Sequence, residues 1–262
     1  MSLEQEFAEP IDPAGVLSAT RWGDLEHAYG PAANVPEMLT GLLDLSEGVR
    51  SRALGALHSV VHHQNTLYTA TAPAALYVAG ILDDERSLWS VKKNARSFPG
   101  PMRAELLGWL DSVANEACDE AAAISRRCGF PPEEYPPYVE ICRIRPQLFR
   151  SASAYLDDPD VHVREAAVST CIPLLDDPHL LHHRVALVPF LREVLAASAL
   201  WQYRERSIEA LTSWGEDTTG LEVRRERYAF CDSEHNPWPR ADEPWRGDGP
   251  EPPSDRSVQP DR

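Results

Sequence analysis

Leu156-Asp157-Asp158-Pro159-Asp160-Val161-His162-Val163-Arg164-Glu165-Ala166-Ala167 joins the end of one apolar helical run to the start of the next. Asp stops a helix and caps the one that follows, because its carboxylate accepts from amides left open at a helix start. Working outward, Leu43-Asp44, Leu82-Asp83-Asp84 and Leu175-Asp176-Asp177 close apolar runs in the same way. An arginine followed by apolar residues at a fixed offset recurs with them. Arg50 precedes Ala53, Leu54 and Leu57, and Arg103 precedes Leu106, Leu107 and Leu110. Arg164 precedes Ala167, Val168 and Cys171, and Arg204 precedes Ser207, Ile208 and Leu211. Each of these helices follows a more apolar one, best seen over Val35 to Leu43, Pro73 to Leu82, Gln147 to Leu156 and Arg184 to Ala197. The unit is therefore an antiparallel helix pair, and a lone pair cannot bury its apolar face, so pairs must stack. Between residues 33 and 215 no alternating apolar and polar run demands a strand, and the expected body is an all-α solenoid.

The chain has 262 residues, of which 43% are hydrophobic and 25% charged, the composition of an ordinary globular protein. Asp and Glu number 41 against 25 Lys and Arg, a formal charge of -16. That balance argues against a nucleic-acid partner, since phosphate binding relies on basic residues releasing counterions. No stretch approaches the roughly 18 apolar residues of a membrane span, and the first ten residues are acidic where a secretory signal is basic. A cytoplasmic protein is expected. Cys118, Cys128, Cys142, Cys171 and Cys231 are odd in number and contain no Cys-x-x-Cys pair, which reads as reduced thiols. Arg outnumbers Lys 23 to two, and the many Ala and Pro point to a GC-rich bacterial gene.

The stretch around Asp157 to Ala167 resembles the inter-helix turn and second-helix start of HEAT repeats, in which Asp and Arg of successive repeats form a polar ladder. The segment Trp22-Gly23-Asp24-Leu25-Glu26-His27-Ala28-Tyr29-Gly30, running on to Val35-Pro36, also resembles a group of bacterial HEAT-repeat proteins. So does His63-Gln64-Asn65-Thr66 leading to Ala70-Thr71-Ala72-Pro73. The resemblance covers roughly residues 20 to 215. It implies a short right-handed, armadillo-like solenoid that binds protein, and it carries no catalytic residue. The expected layout is an N-terminal extension with a short helix over 1–32, a HEAT-like domain over 33–215 and an acidic, Pro-rich, disordered tail over 216–262. The tail contains Pro237-Trp238-Pro239-Arg240 and Pro244-Trp245-Arg246, either a docking motif or a segment that packs back on the body. The insertion from Cys128 to Pro137, which includes Pro131 to Pro137, should form a surface loop.

Signatures of common enzymes are absent: there is no Gly-Lys of a phosphate-binding loop, no Gly-x-Gly-x-x-Gly, no Gly-x-Ser-x-Gly and no His-Glu-x-x-His. His58 with His62, and His179 with His183, stand at i, i+4, the spacing that can place two imidazoles on one metal, but two ligands are not a site. No cofactor or metal is expected. The paired aspartates read as helix caps, the loop from His63 to Thr71 as capping of helix ends, and Trp109 and Trp214 as core residues. Superposing the four helices by their arginines puts Ser51, Gly55 and His58 in one row and Ala104, Gly108 and Asp111 in the next. His162, Glu165 and Ser169 follow, then Gln202, Glu205, Glu209 and Thr212. Small residues give way to acidic ones, with no Lys or Arg beyond the ladder, so this face should favour one basic protein partner. An immunity-type inhibitor masking a cationic toxin is one version. A small-molecule lyase, isomerase or hydrolase using His58, His62 or Asp111 is the alternative, and a merely solvated polar face is the plain one.

Overall fold

At the Asp-Pro-Asp turn, Asp160 holds extended backbone, and its carboxylate accepts from the amides of His162 and Val163 at 2.8 and 3.2 Å. The preceding Asp158 accepts from the Asp160 amide at 2.9 Å, which fixes the entry to the helix. Asp160→Ala should cost about 1 kcal/mol, seen as a lower urea midpoint at unchanged slope.

The computed structural model describes residues 10–92 and 99–222, and these are mostly helical. The α-helices are α1 (Pro13–Ala19), α2 (Val35–Thr40), α3 (Glu47–Ala56), α4 (Thr71–Gly80) and α5 (Met102–Asn115). After them come α6 (Asp119–Arg127), α7 (Pro136–Ser153), α8 (Val161–Leu174), α9 (Arg184–Ala197) and α10 (Trp201–Ser213). One two-residue antiparallel pair, β1 (Glu26–His27) with β2 (Gly30–Pro31), lies ahead of the helical body, and its turn uses Gly30 at φ 122°. No described helix is long and apolar enough to cross a membrane.

Each of the four sequence arginines lies on its own helix, α3, α5, α8 or α10. Three share one local geometry: Arg50 donates to the Asp44 carbonyl at 2.8 Å, Arg164 to the Asp158 carbonyl at 2.7 Å, and Arg204 to the Ser198 carbonyl. Each guanidinium reaches back six residues and ties the entering turn to its helix, which explains the fixed offset. Arg103 instead links segments distant in the chain. Its Nη1 lies 3.5 Å from Asp158, its Nε donates to Ser87 at 2.9 Å, and its guanidinium stacks over Tyr155.

One apolar cluster runs from Trp22 and Leu39 through Met102, Trp109, Ile141 and Leu148 to Leu191 and Leu211. Within it α5 packs most extensively on α8, α4 lies against α7, α7 against α8, and α9 against α10. Trp109 is fully buried, while Trp214 is half-buried beneath the Arg184 guanidinium.

Several boundaries differ from those expected. The third apolar helix begins at Pro136 rather than Gln147, because proline suits the first helical turn, where no intrahelical N–H is required. The surface loop is correspondingly shorter and contains a tight turn at Pro132–Glu134. Helix α6 is additional. Cys118, Cys128, Cys142 and Cys171 are free thiols, while Cys231, Trp238 and Trp245 lie outside the described residues, as does the tail beyond residue 222.

Candidate functional site

Helices α3, α5, α8 and α10 turn one face each toward a groove of about 770 Å³. Its wall from α3 and the turn that follows is small, Ser51, Gly55 and His58, and that from α5 carries Ala104, Gly108 and Asp111. Helix α8 contributes Ala166 and Ser169, and α10 contributes Gln202, Glu205 and Glu209. The structure thus brings together His58, Asp111, Gln202, Glu205 and Glu209, residues spread over more than half the chain.

His162 and Glu165 do not join them. Helix α8 packs against α5, α7, α9 and α10, and its first residue, Val161, is exposed outside the groove. His162 packs over Gly100, where an added Cβ would come within 2.7 Å of it. Glu165 is buried, bonds the Ser198 side chain and lines a separate narrow cleft with Phe190 and Val194. Burial there raises its pKa above the usual carboxylate range. The groove face of α8 is therefore rotated to Ala166 and Ser169. Thr212 also lies outside the groove lining.

The groove holds groups that the row superposition missed. Glu105, Trp201 and Tyr203 line it, and so do Lys92 and Arg206, which corrects the expectation of a face without basic residues. Arg206 Nη2 lies 2.5 Å from Asp111 Oδ1, and Ser169 donates to Asp111 Oδ2 at 2.8 Å. Asp111 is thus engaged within the protein through both carboxylate oxygens. Arg206 stands one helical turn beyond Gln202, a spacing that places both on the same face. Four carboxylates, Glu105, Asp111, Glu205 and Glu209, surround a floor made by Leu54, Ala104 and Tyr203. Both polar atoms of the Gln202 carboxamide are buried without a hydrogen-bond partner among the described residues. A buried amide in that state costs about 1–3 kcal/mol until something bonds it.

The two histidines of the i, i+4 pair part company. His58 stands on the groove wall, where loss of surrounding water lowers its pKa. His62 is buried, its Nδ1 3.1 Å from the Thr66 carbonyl and its Nε2 3.0 Å from Ser112 Oγ. A carbonyl only accepts, so Nδ1 carries the proton and Nε2 accepts from the serine hydroxyl. Burial holds the His62 pKa below its ordinary 6.5, with the Thr66 bond opposing. The unfolded chain therefore takes up the proton first as pH falls, and stability declines from about pH 6.5 down to the lowered folded value. Urea midpoints should fall between pH 7 and pH 5, and by less in His62→Gln; equal losses in both would contradict this role.

Among the described residues no group of three or more His, Cys, Asp or Glu is placed to hold a metal. The loop from His63 to Thr71 caps as its composition suggests: Thr71 donates to the Val61 carbonyl at 2.7 Å and accepts from the Tyr68 amide at 2.8 Å. Asp84 caps the turn at Arg86, Asp177 accepts from the His179 amide, and Asp176 accepts from the Asp119 amide. No protein-family model, curated protein or solved structure matches this chain.

Proposed function

We propose that this chain is a short, right-handed HEAT-like solenoid of stacked antiparallel helix pairs, and that it is a non-catalytic binding module for one basic protein partner. The observation that carries the proposal is the convergence of carboxylates from α5 and α10 on one groove with an apolar floor. A cationic amphipathic segment matches both features: its apolar side covers Leu54, Ala104 and Tyr203, and its Arg or Lys side chains meet Glu205 and Glu209. Arg206 and Lys92 limit the charge excess and favour a partner with some acidic groups of its own. An immunity-type or regulatory inhibitor that masks a cationic surface fits this chemistry, and a bacterial cytoplasm fits the composition.

The non-catalytic reading is supported by the engagement of two groups that a reaction would use. Asp111 is held by Arg206 and Ser169, and His62 by Thr66 and Ser112. One observation favours a second reading, a small cationic ligand: the groove volume lies within the range of about 300–1,000 Å³ usual for small-molecule sites.

The test is purification of the tagged chain from its native host at moderate salt, with mass spectrometry of what elutes. A stoichiometric basic protein that leaves as ionic strength rises is the expected result. A bound metabolite with no protein would replace this proposal with the small-ligand reading.

A further inference from the structure

A second cavity, about 520 Å³, lies apart from the groove, between the turn after His62 and the proline-rich stretch. Phe130, Pro131, Pro132, Tyr135 and Tyr138 form its apolar walls, with Leu67 opposite. Its shape is held by local bonds: the Tyr135 hydroxyl donates to the Leu67 carbonyl, and Ser125 donates to the Phe130 carbonyl at 2.5 Å. Phe130 is nevertheless 70% exposed and Tyr135 43%, an aromatic surface that no described residue covers. Glu116 and Glu134 stand at the same cavity, and neither side chain has an ion pair or hydrogen bond among the described residues.

We propose that this cavity docks the chain's own Pro237-Trp238-Pro239-Arg240 segment, with Trp238 and the prolines against the aromatic walls and Arg240 against Glu116 and Glu134. Proline-rich segments enter aromatic-lined grooves at small entropic cost because their extended helix is already formed. Few four-residue stretches supply a large ring, two prolines and a guanidinium together, and this chain carries one. The charges are complementary. Burial raises the Glu116 pKa, with no opposing cation nearby, and a guanidinium relieves that cost. Fourteen residues lie between Glu222 and Pro237, a length of chain that can reach up to about 50 Å. Pro244-Trp245-Arg246 repeats the ring and the cation with one proline fewer and serves as the weaker alternate. This proposal does not rest on the groove, and either can fail without the other.

The test uses the full chain and a fluorescein-labelled, terminally blocked peptide of residues 237–246, followed by anisotropy. The Trp238→Ala, Trp245→Ala double variant, whose own tail no longer competes, should bind the peptide. The native chain should bind it about tenfold more weakly, as a tethered competitor requires. Phe130→Ala, an exposed position, and Glu116→Gln should each weaken binding to the double variant. No binding by the double variant, equal binding by the native chain, or binding indifferent to both cavity substitutions would overturn the proposal. So would a native chain whose sedimenting mass rises with concentration while that of the double variant does not, since the occupant would then belong to a second copy.

Discussion

Arg103→Ala is expected to lower the unfolding free energy by about 3–5 kcal/mol, the cost of breaking a buried ion pair from one side. Arg103 and Asp158 are each only 9% exposed at the side chain, so the aspartate left behind cannot recover its lost partner from bulk water. The same substitution removes the donor to Ser87 and the cation stacked on Tyr155, 4.8 Å from the ring centre. Helix α5 thereby loses its tie to the turn that starts α8, the helix it packs against most. Arg103→Met, which keeps much of the apolar stem, should recover part of the loss but not most of it. Adding Asp158→Asn to Arg103→Met should recover more, because the orphaned charge goes with it. Urea denaturation of the native chain, Arg103→Met, Asp158→Asn and the double variant gives the coupling energy, and additive effects would show that the pair contributes nothing as a pair.

Glu205→Lys with Glu209→Lys is expected to weaken the basic partner about 100-fold or more, since two attractive contacts become repulsive ones. Both residues lie on one face of α10, toward the groove, and neither belongs to the apolar cluster, so the helical circular dichroism should not change. Glu120→Lys changes the net charge in the same direction on the exposed first turn of α6 and should weaken binding far less. Raising salt should erode the native affinity steeply and that of the double variant little. A Glu120→Lys loss about half that of the pair in free energy, in proportion to the charge changed, would show that only overall charge matters and that the groove is incidental.

The placement of the arginine-bearing helices was legible because its cause is local. An arginine that bonds the carbonyl six residues back imposes a fixed spacing between turn, arginine and apolar positions, and that spacing survives in a single sequence. Helix α6 was not legible for an equally local reason. Its cap is the Cys118 thiol, which accepts from the Ala121 amide, and cysteine is not among the residues that mark a helix start. The groove was legible on α3, α5 and α10, where the polar face meets solvent. On α8 it reached Ser169 but failed for His162 and Glu165, because periodicity tells which residues share a face but not which neighbour covers it. Glu165 is polar and in register, yet the turn at Ser198 closes over it. The pairing of Asp111 with Arg206 joins residues on helices distant in the chain, and no spacing rule could have announced it.

Site-resolved photo-crosslinking in cells tests the central claim most directly. A benzophenone amino acid is placed at Gly55 or Glu209, both exposed at the groove, and at Val185, which is 79% exposed on α9 outside it. One basic protein crosslinked from positions 55 and 209 and not from 185 is the predicted result. Crosslinks from position 185 alone, with none from the groove, would contradict it.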